Sequence, residues 1–159
     1  ICVDTVAELE DALQIAQVSD PQTSRVLIRL EQGSYNLSSA SFMRTSAQVT
    51  GYALAESVVL AGGYTNNCAG RVQNPANTIL LNTGARRLDF EVLRDLLVSG
   101  FTFSNFANRI EFGNFNLSDT VQRIELANNR FIEGGGGLEI GVEAGTATSE
   151  IVLRNNLLW

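Results

Sequence analysis

Ile124-Glu-Leu126-Ala-Asn128-Asn129-Arg-Phe131 and Ile151-Val-Leu153-Arg-Asn155-Asn156-Leu-Leu158 are the same pattern, and corresponding positions lie 27 residues apart. A looser copy precedes them at Leu96-Leu97-Val98-Ser99-Gly100-Phe101-Thr102-Phe103. Each copy is an alternating apolar run, then Gly or Asn-Asn, then another apolar residue. Recurrence at a fixed short period marks a repeat architecture, in which each unit buries its apolar face only by stacking on its neighbours.

A second series interleaves with the first. Leu88-Asp89-Phe90-Glu91-Val92, Ile110-Glu111-Phe112 and Leu138-Glu139-Ile140 alternate apolar and acidic residues, with centres 22 and 28 residues apart. Period-two alternation is the strand signature, and the repeat carries no helical periodicity, which excludes helical solenoids. Two interleaved strand families with a common period describe successive turns of a coil. The reading is an all-β, parallel β-helix of roughly five coils over residues 26–159. Stacked turns would place Phe90, Phe112 and Ile140 in one apolar column and Val98, Leu126 and Leu153 in another. Gly and Asn suit the corners because they tolerate left-handed backbone. Asn128 would lie over Asn155 and Asn129 over Asn156, forming an amide ladder between turns.

Upstream, residues 4–18 read as an α-helix. Thr5-Val-Ala-Glu8 is a capping box, and Val6, Leu9, Ala12, Leu13 and Ala16 make an apolar stripe at helical spacing. Pro21 ends it. Such a helix needs an apolar surface to cover, and the first turn of the coil supplies one. Val26–Leu30, Tyr35–Leu37, Val58–Leu60 and Thr78–Leu81 read as strands, and residues 38–56 as an excursion loop. One domain spans 1–159.

Composition narrows the chemistry. There are 17 acidic and 11 basic residues, a net charge of −6 and no His. Every basic residue is Arg. Without a basic stripe the chain is a poor partner for nucleic acid. Without His, Ser-His-Asp triads and His-based zinc sites are excluded within it. No run approaches the roughly 18 apolar residues of a membrane span, so membrane insertion by this segment is not expected. Two cysteines, Cys2 and Cys68, suit one disulfide in an oxidising compartment, although two cytosolic thiols would give the same count. No signal peptide precedes Ile1-Cys2-Val3, which fits the start of a processed, exported chain.

The residues resemble the right-handed parallel β-helix, pectin-lyase-like superfamily, and within it bacterial secreted repeat proteins of the polymorphic outer-membrane and autotransporter passenger type. The resemblance rests on Ile1–Leu9 as a capping helix, on Gly62-Gly-Tyr64-Thr-Asn-Asn-Cys68-Ala-Gly-Arg71, and on Asn128-Asn-Arg-Phe131 with Gly134–Gly137. It implies export, a bacterial extracellular or periplasmic location, and adds weight to a Cys2–Cys68 disulfide. It carries less about activity, because this fold hosts lyases, hydrolases, adhesins and inert stalks.

Candidate site residues follow. Stacked carboxylates at Asp89, Glu111 and Glu139, with Glu91 nearby, would repel, raising a pKa or recruiting a cation, and oxygen clusters suit Ca²⁺. In lyases of the resembled fold, Ca²⁺-holding carboxylates and an Arg base act on uronate polymers; Arg87 and Arg109 stand beside these positions. Against this, Arg and Glu alternating on a solvated face simply neutralise one another. No resident cofactor is expected beyond such a Ca²⁺. Tyr64 is the candidate for stacking on a sugar ring. The final turn, with Leu157, Leu158 and Trp159, would leave strand edges and an apolar column open; either the chain is the N-terminal part of a longer helix or it self-associates there. The favoured function is a secreted or cell-surface structural, adhesive or glycan-binding module without catalysis. A polysaccharide lyase or hydrolase fragment is the competing reading.

Overall fold

The computed structural model describes residues 1–18, 25–40, 43–44, 55, 57–92, 94–114, 122–132, 134–142 and 149–159. In chain order the elements are β1 (Cys2–Val3), α1 (Val6–Val18), β2 (Arg25–Glu31), β3 (Gly33–Asn36), β4 (Met43–Arg44) and β5 (Ser57–Tyr64). Then come β6 (Thr78–Leu81), β7 (Arg87–Val92), β8 (Asp95–Ser99), β9 (Thr102–Ser104) and β10 (Ile110–Asn114). The last are β11 (Gln122–Ala127), β12 (Arg130–Ile132), β13 (Leu138–Val142), β14 (Ser149–Arg154) and β15 (Leu157–Leu158). The described residues are mostly β, with this one α-helix and two short 3₁₀ turns among them.

Three sheets take the strands in rotation. The first has the order β1-β2-β5-β8-β11-β14, the second β3-β6-β9-β12-β15, and the third β4-β7-β10-β13. Among the described strands the pairings are parallel except β4 with β7, and an isolated antiparallel bridge joins Tyr64 to Arg71. Strand β4 falls within the stretch read as an excursion loop, most of which lies outside the described residues.

Register explains the burial. In the first sheet Ile28, Leu60, Val98, Leu126 and Leu153 align, as do Val26, Val58, Leu96, Ile124 and Ile151. In the second, Tyr35, Leu80, Phe103, Phe131 and Leu158 align. In the third, Phe90, Phe112 and Ile140 align. Parallel pairing at about 4.8 Å stacks side chains that are far apart in sequence. Phe103 and Phe131 show it directly, their rings stacked with centroids 4.8 Å apart and planes 3° apart. The buried members of these columns merge into one apolar interior, whereas Ile151, Leu153 and Leu158 are exposed.

Helix α1 begins two residues later than the sequence pattern places it. The Glu8 N–H donates to Thr5 Oγ1 at 3.2 Å, and Glu8 Oε2 accepts the Asp4 N–H at 2.8 Å. Leu9, Ala12, Leu13 and Ala16 are buried, and α1 packs against β1 and β2. The stripe covers the end of the interior where β2 begins. Cys2 and Cys68 are joined by a disulfide that links β1 to the 3₁₀ turn Asn66–Cys68, across a sequence separation of 66.

Asparagine and glycine mark the corners. Gly100, Asn128 and Asn155 each follow a register-matched strand residue, and their φ angles are +81°, +55° and +52°. An L side chain with a bulky Cβ substituent is disfavoured there, whereas Asn and Gly tolerate it.

Candidate functional site

The two asparagines of each Asn-Asn corner have separate tasks. Asn128 and Asn155 lie toward solvent, with Asn155 Nδ2 donating to Asn128 Oδ1 at 3.2 Å. Asn129 is buried. Its Oδ1 accepts the Phe101 N–H at 3.1 Å, and its Nδ2 donates to Val98 O at 2.9 Å and Asn156 Oδ1 at 3.2 Å. Asn156 Nδ2 in turn donates to Leu126 O at 2.7 Å. One amide thus satisfies the main chain of the preceding turn where the strand ladder breaks.

Asp89, Glu111 and Glu139 occupy one register column of the third sheet. Their surroundings differ along it. The Asp89 carboxylate is almost wholly covered and contacts the Arg87 guanidinium at 3.0 Å. Arg109 pairs with Glu111 at 2.8 Å and also with Glu139. Burial, reinforced by the Asp89 charge, raises the Glu111 pKa above the ordinary carboxylate value, with Arg109 opposing the rise. A Ca²⁺ ion here would have to displace Arg109 from two carboxylates, so the donor set does not fit Ca²⁺ as it stands. Glu91 lies in β7 in register with Gly113, and its side chain is outside the described residues.

Tyr64 sits at the end of β5, where the Gly-Gly-Tyr…Cys…Arg segment folds on itself. The Arg29 and Arg71 guanidinium carbons lie 5.9 Å and 5.5 Å from the Tyr64 ring centre. Arg71 also donates to Gly62 O at 2.9 Å and, through Nη2, to Ser99 O at 3.2 Å and Ser99 Oγ at 2.8 Å. Gly63 makes the fold-back feasible: its φ is +91°, and a Cβ there would lie 2.2 Å from Val72 O. A sugar reaching this ring would share it with two cations.

Comparison with known proteins matches no family model, no curated protein and no solved structure.

Two further features stand apart from these sites, and the first of them carries no signal in local sequence. The outer face of the first sheet holds an ion network around Glu125, which is nearly buried between Arg123, at 2.8 Å, and Arg154. Arg123 also reaches Glu150 at 3.4 Å. Register supplies the signal, because Glu125 stands among Leu27, Val59, Leu97 and Val152 in an otherwise apolar outward column. At the β14–β15 end the interior opens into cavities of about 320 and 200 Å³. The larger is lined by Phe103, Phe106, Phe131, Leu158 and Trp159, among others. Leu157, Leu158 and Trp159 are 45%, 62% and 91% exposed. No helix among the described residues is long and apolar enough to cross a membrane.

Proposed function

We propose that the chain is a right-handed parallel β-helix module, exported by a bacterium, that serves as a structural and adhesive scaffold with outward faces suited to extended glycans. The observation that carries this reading is the rotation of successive strands through three parallel sheets in continuous register. Parallel crossovers are right-handed in about 98% of cases, which supports the hand. The disulfide supports an oxidising compartment. The resemblance to secreted repeat proteins points the same way.

Repetition at the sheet spacing turns each outward position into a row. Such a row favours a partner that itself repeats, such as a polysaccharide, over a compact metabolite. The Arg–carboxylate column on the third sheet and Tyr64 with its two arginines offer it polar surfaces. The chain also self-associates, on this proposal, through Leu157, Leu158 and Trp159, whose exposed apolar surface supports an interface.

The test is a polysaccharide panel, including uronate polymers, assayed for binding and for chain cleavage with and without Ca²⁺. Saturable binding without cleavage is expected, weakened by Arg109→Ala. Cleavage that disappears in Glu111→Ala or Glu139→Ala would replace the scaffold with the lyase reading. That alternative draws support from the raised pKa of Glu111.

A further inference from the structure

Among the described strands of residues 1–159, β14 is an edge of the first sheet and pairs with β11 on one side. Arg154 O accepts the Asn128 N–H at 2.9 Å, so the main chain of Arg154 faces β11. Main-chain direction alternates along a strand in a ladder, so Ile151 and Leu153 aim their N–H and C=O groups away from β11. Their side chains stand in register with the fully buried Ile124 and Leu126, yet are 46% and 57% exposed. Such an edge favours pairing with another strand.

Its sequence has the symmetry of a self-complementary edge. Glu150-Ile151-Val152-Leu153-Arg154 places opposite charges equally far from Val152, with an apolar residue beside each. We propose that β14 pairs antiparallel with β14 of a second copy about a two-fold axis through Val152. Glu150 then faces Arg154 of the second copy, and Ile151 faces its Leu153, twice over by symmetry. Ile151 and Leu153 form the hydrogen-bonded pairs, since their main-chain groups point outward. Val152 meets its own copy in a non-hydrogen-bonded pair, where side chains approach more closely.

The charges join networks that already exist. Glu150 contacts Arg123 and Arg154 contacts Glu125, so the seam links the ion clusters of both copies into one. The apolar columns ending at Ile151 and Leu153 continue into the partner, and the end cavities are closed between the two copies. A head-to-tail stack is blocked, because α1 and β1 cover the opposite end. Two-fold pairing closes, and the product is a dimer rather than a fibre.

The inference rests on the proposed self-association, and the test separates the two. Sedimentation equilibrium of residues 1–159 is expected to show a dimer. Glu150→Arg and Arg154→Glu each set like charges against each other and should each weaken dimerisation by about tenfold or more. Mixing the two variants restores both opposite-charge contacts, so a heterodimer of near-parental affinity is expected. Effects within one chain are the same alone and mixed, and therefore cancel. Val152→Cys should oxidise to a covalent dimer, whereas Ile151→Cys, which faces Leu153, should not. This pair decides the matter even if Arg154→Glu does not fold. A monomer at all concentrations overturns both the self-association and its geometry. A dimer that ignores the charge reversals and resists cross-linking at Val152 overturns the geometry alone.

Discussion

Tyr35 is buried in β3, and its hydroxyl reaches the main chain of β1. Its Oη lies 3.1 Å from both Val3 O and Glu31 O, and burial pushes its pKa up to about 12. The neutral phenol is therefore favoured in the fold. Its contribution to stability is complete below the ordinary value of 10 and is lost as pH rises toward about 12. Spectrophotometric titration should show one phenol delayed to that pH in the folded protein and released to the ordinary value in urea. Tyr35→Phe should abolish the delayed phase and cost about 1 kcal/mol, the net worth of one hydrogen bond. Glu111 has the same sign. Its raised pKa means that stability is present below the ordinary value of 4.5 and declines as pH rises through the shifted one. Glu111→Gln should therefore match the parent in acid and exceed it at neutral pH in urea midpoint. A variant less stable than the parent at neutral pH would show that pairing with Arg109 outweighs burial.

The corner of each turn tests what the Asn-Asn pattern means. Asn129→Ala strips partners from Phe101 N–H and Val98 C=O, both in covered positions, and should cost about 2–4 kcal/mol. Asn128→Gly keeps the left-handed corner, matching Gly100 one turn earlier, and should stay within about 0.5 kcal/mol of the parent. Thermal or urea unfolding of the two variants reads the contrast. Equal losses would mean that both amides act alike, as a simple ladder implies. Much of this element was legible beforehand. Residues 27 apart do stack, and the acidic positions 22 and 28 apart do share a column. The division of labour between Asn128 and Asn129 was not legible, because the chain turns between them and strand periodicity no longer says which side chain faces inward. Arg71 was hidden for a related reason: its contacts to Ser99 span 28 residues and depend on the backbone of Gly62 and Gly63 approaching closely. The antiparallel strand β4 was equally hidden, since Met43-Arg44 is too short to show any period.

At the scale of the whole molecule, the three sheets are bounded differently at β1 and at β14 within residues 1–159. A repeat stack is held by nearest-neighbour contacts, so its ends fray unless they are closed. The β14–β15 end offers apolar side chains and open strand edges. The other end is closed by α1 and by the short strand β1, whose two residues pair with Arg29 and Leu30. So short a strand has little hold of its own. The Cys2–Cys68 bond fastens it to the turn after β5, bridging a sequence separation of 66. In the chain-entropy account a loop of that size stabilises the native state by about 4 kcal/mol, by restricting the unfolded chain. Cys2→Ser with Cys68→Ser, or reduction of the parent, should then lower the urea midpoint by about 2 M for an m-value of about 2 kcal/mol/M. Hydrogen exchange would separate two origins of the loss. If the bond acts only on the unfolded chain, protection should fall across all sheets alike. If it also holds the end closed, amides of α1, β1 and β2 should lose protection beyond the loss they share with those of β8 and β11. We expect the second pattern, because Tyr35 Oη relies on Val3 O, and Val3 is held by two strand residues and this bond. A midpoint unchanged by reduction would mean that α1 docking alone closes that end.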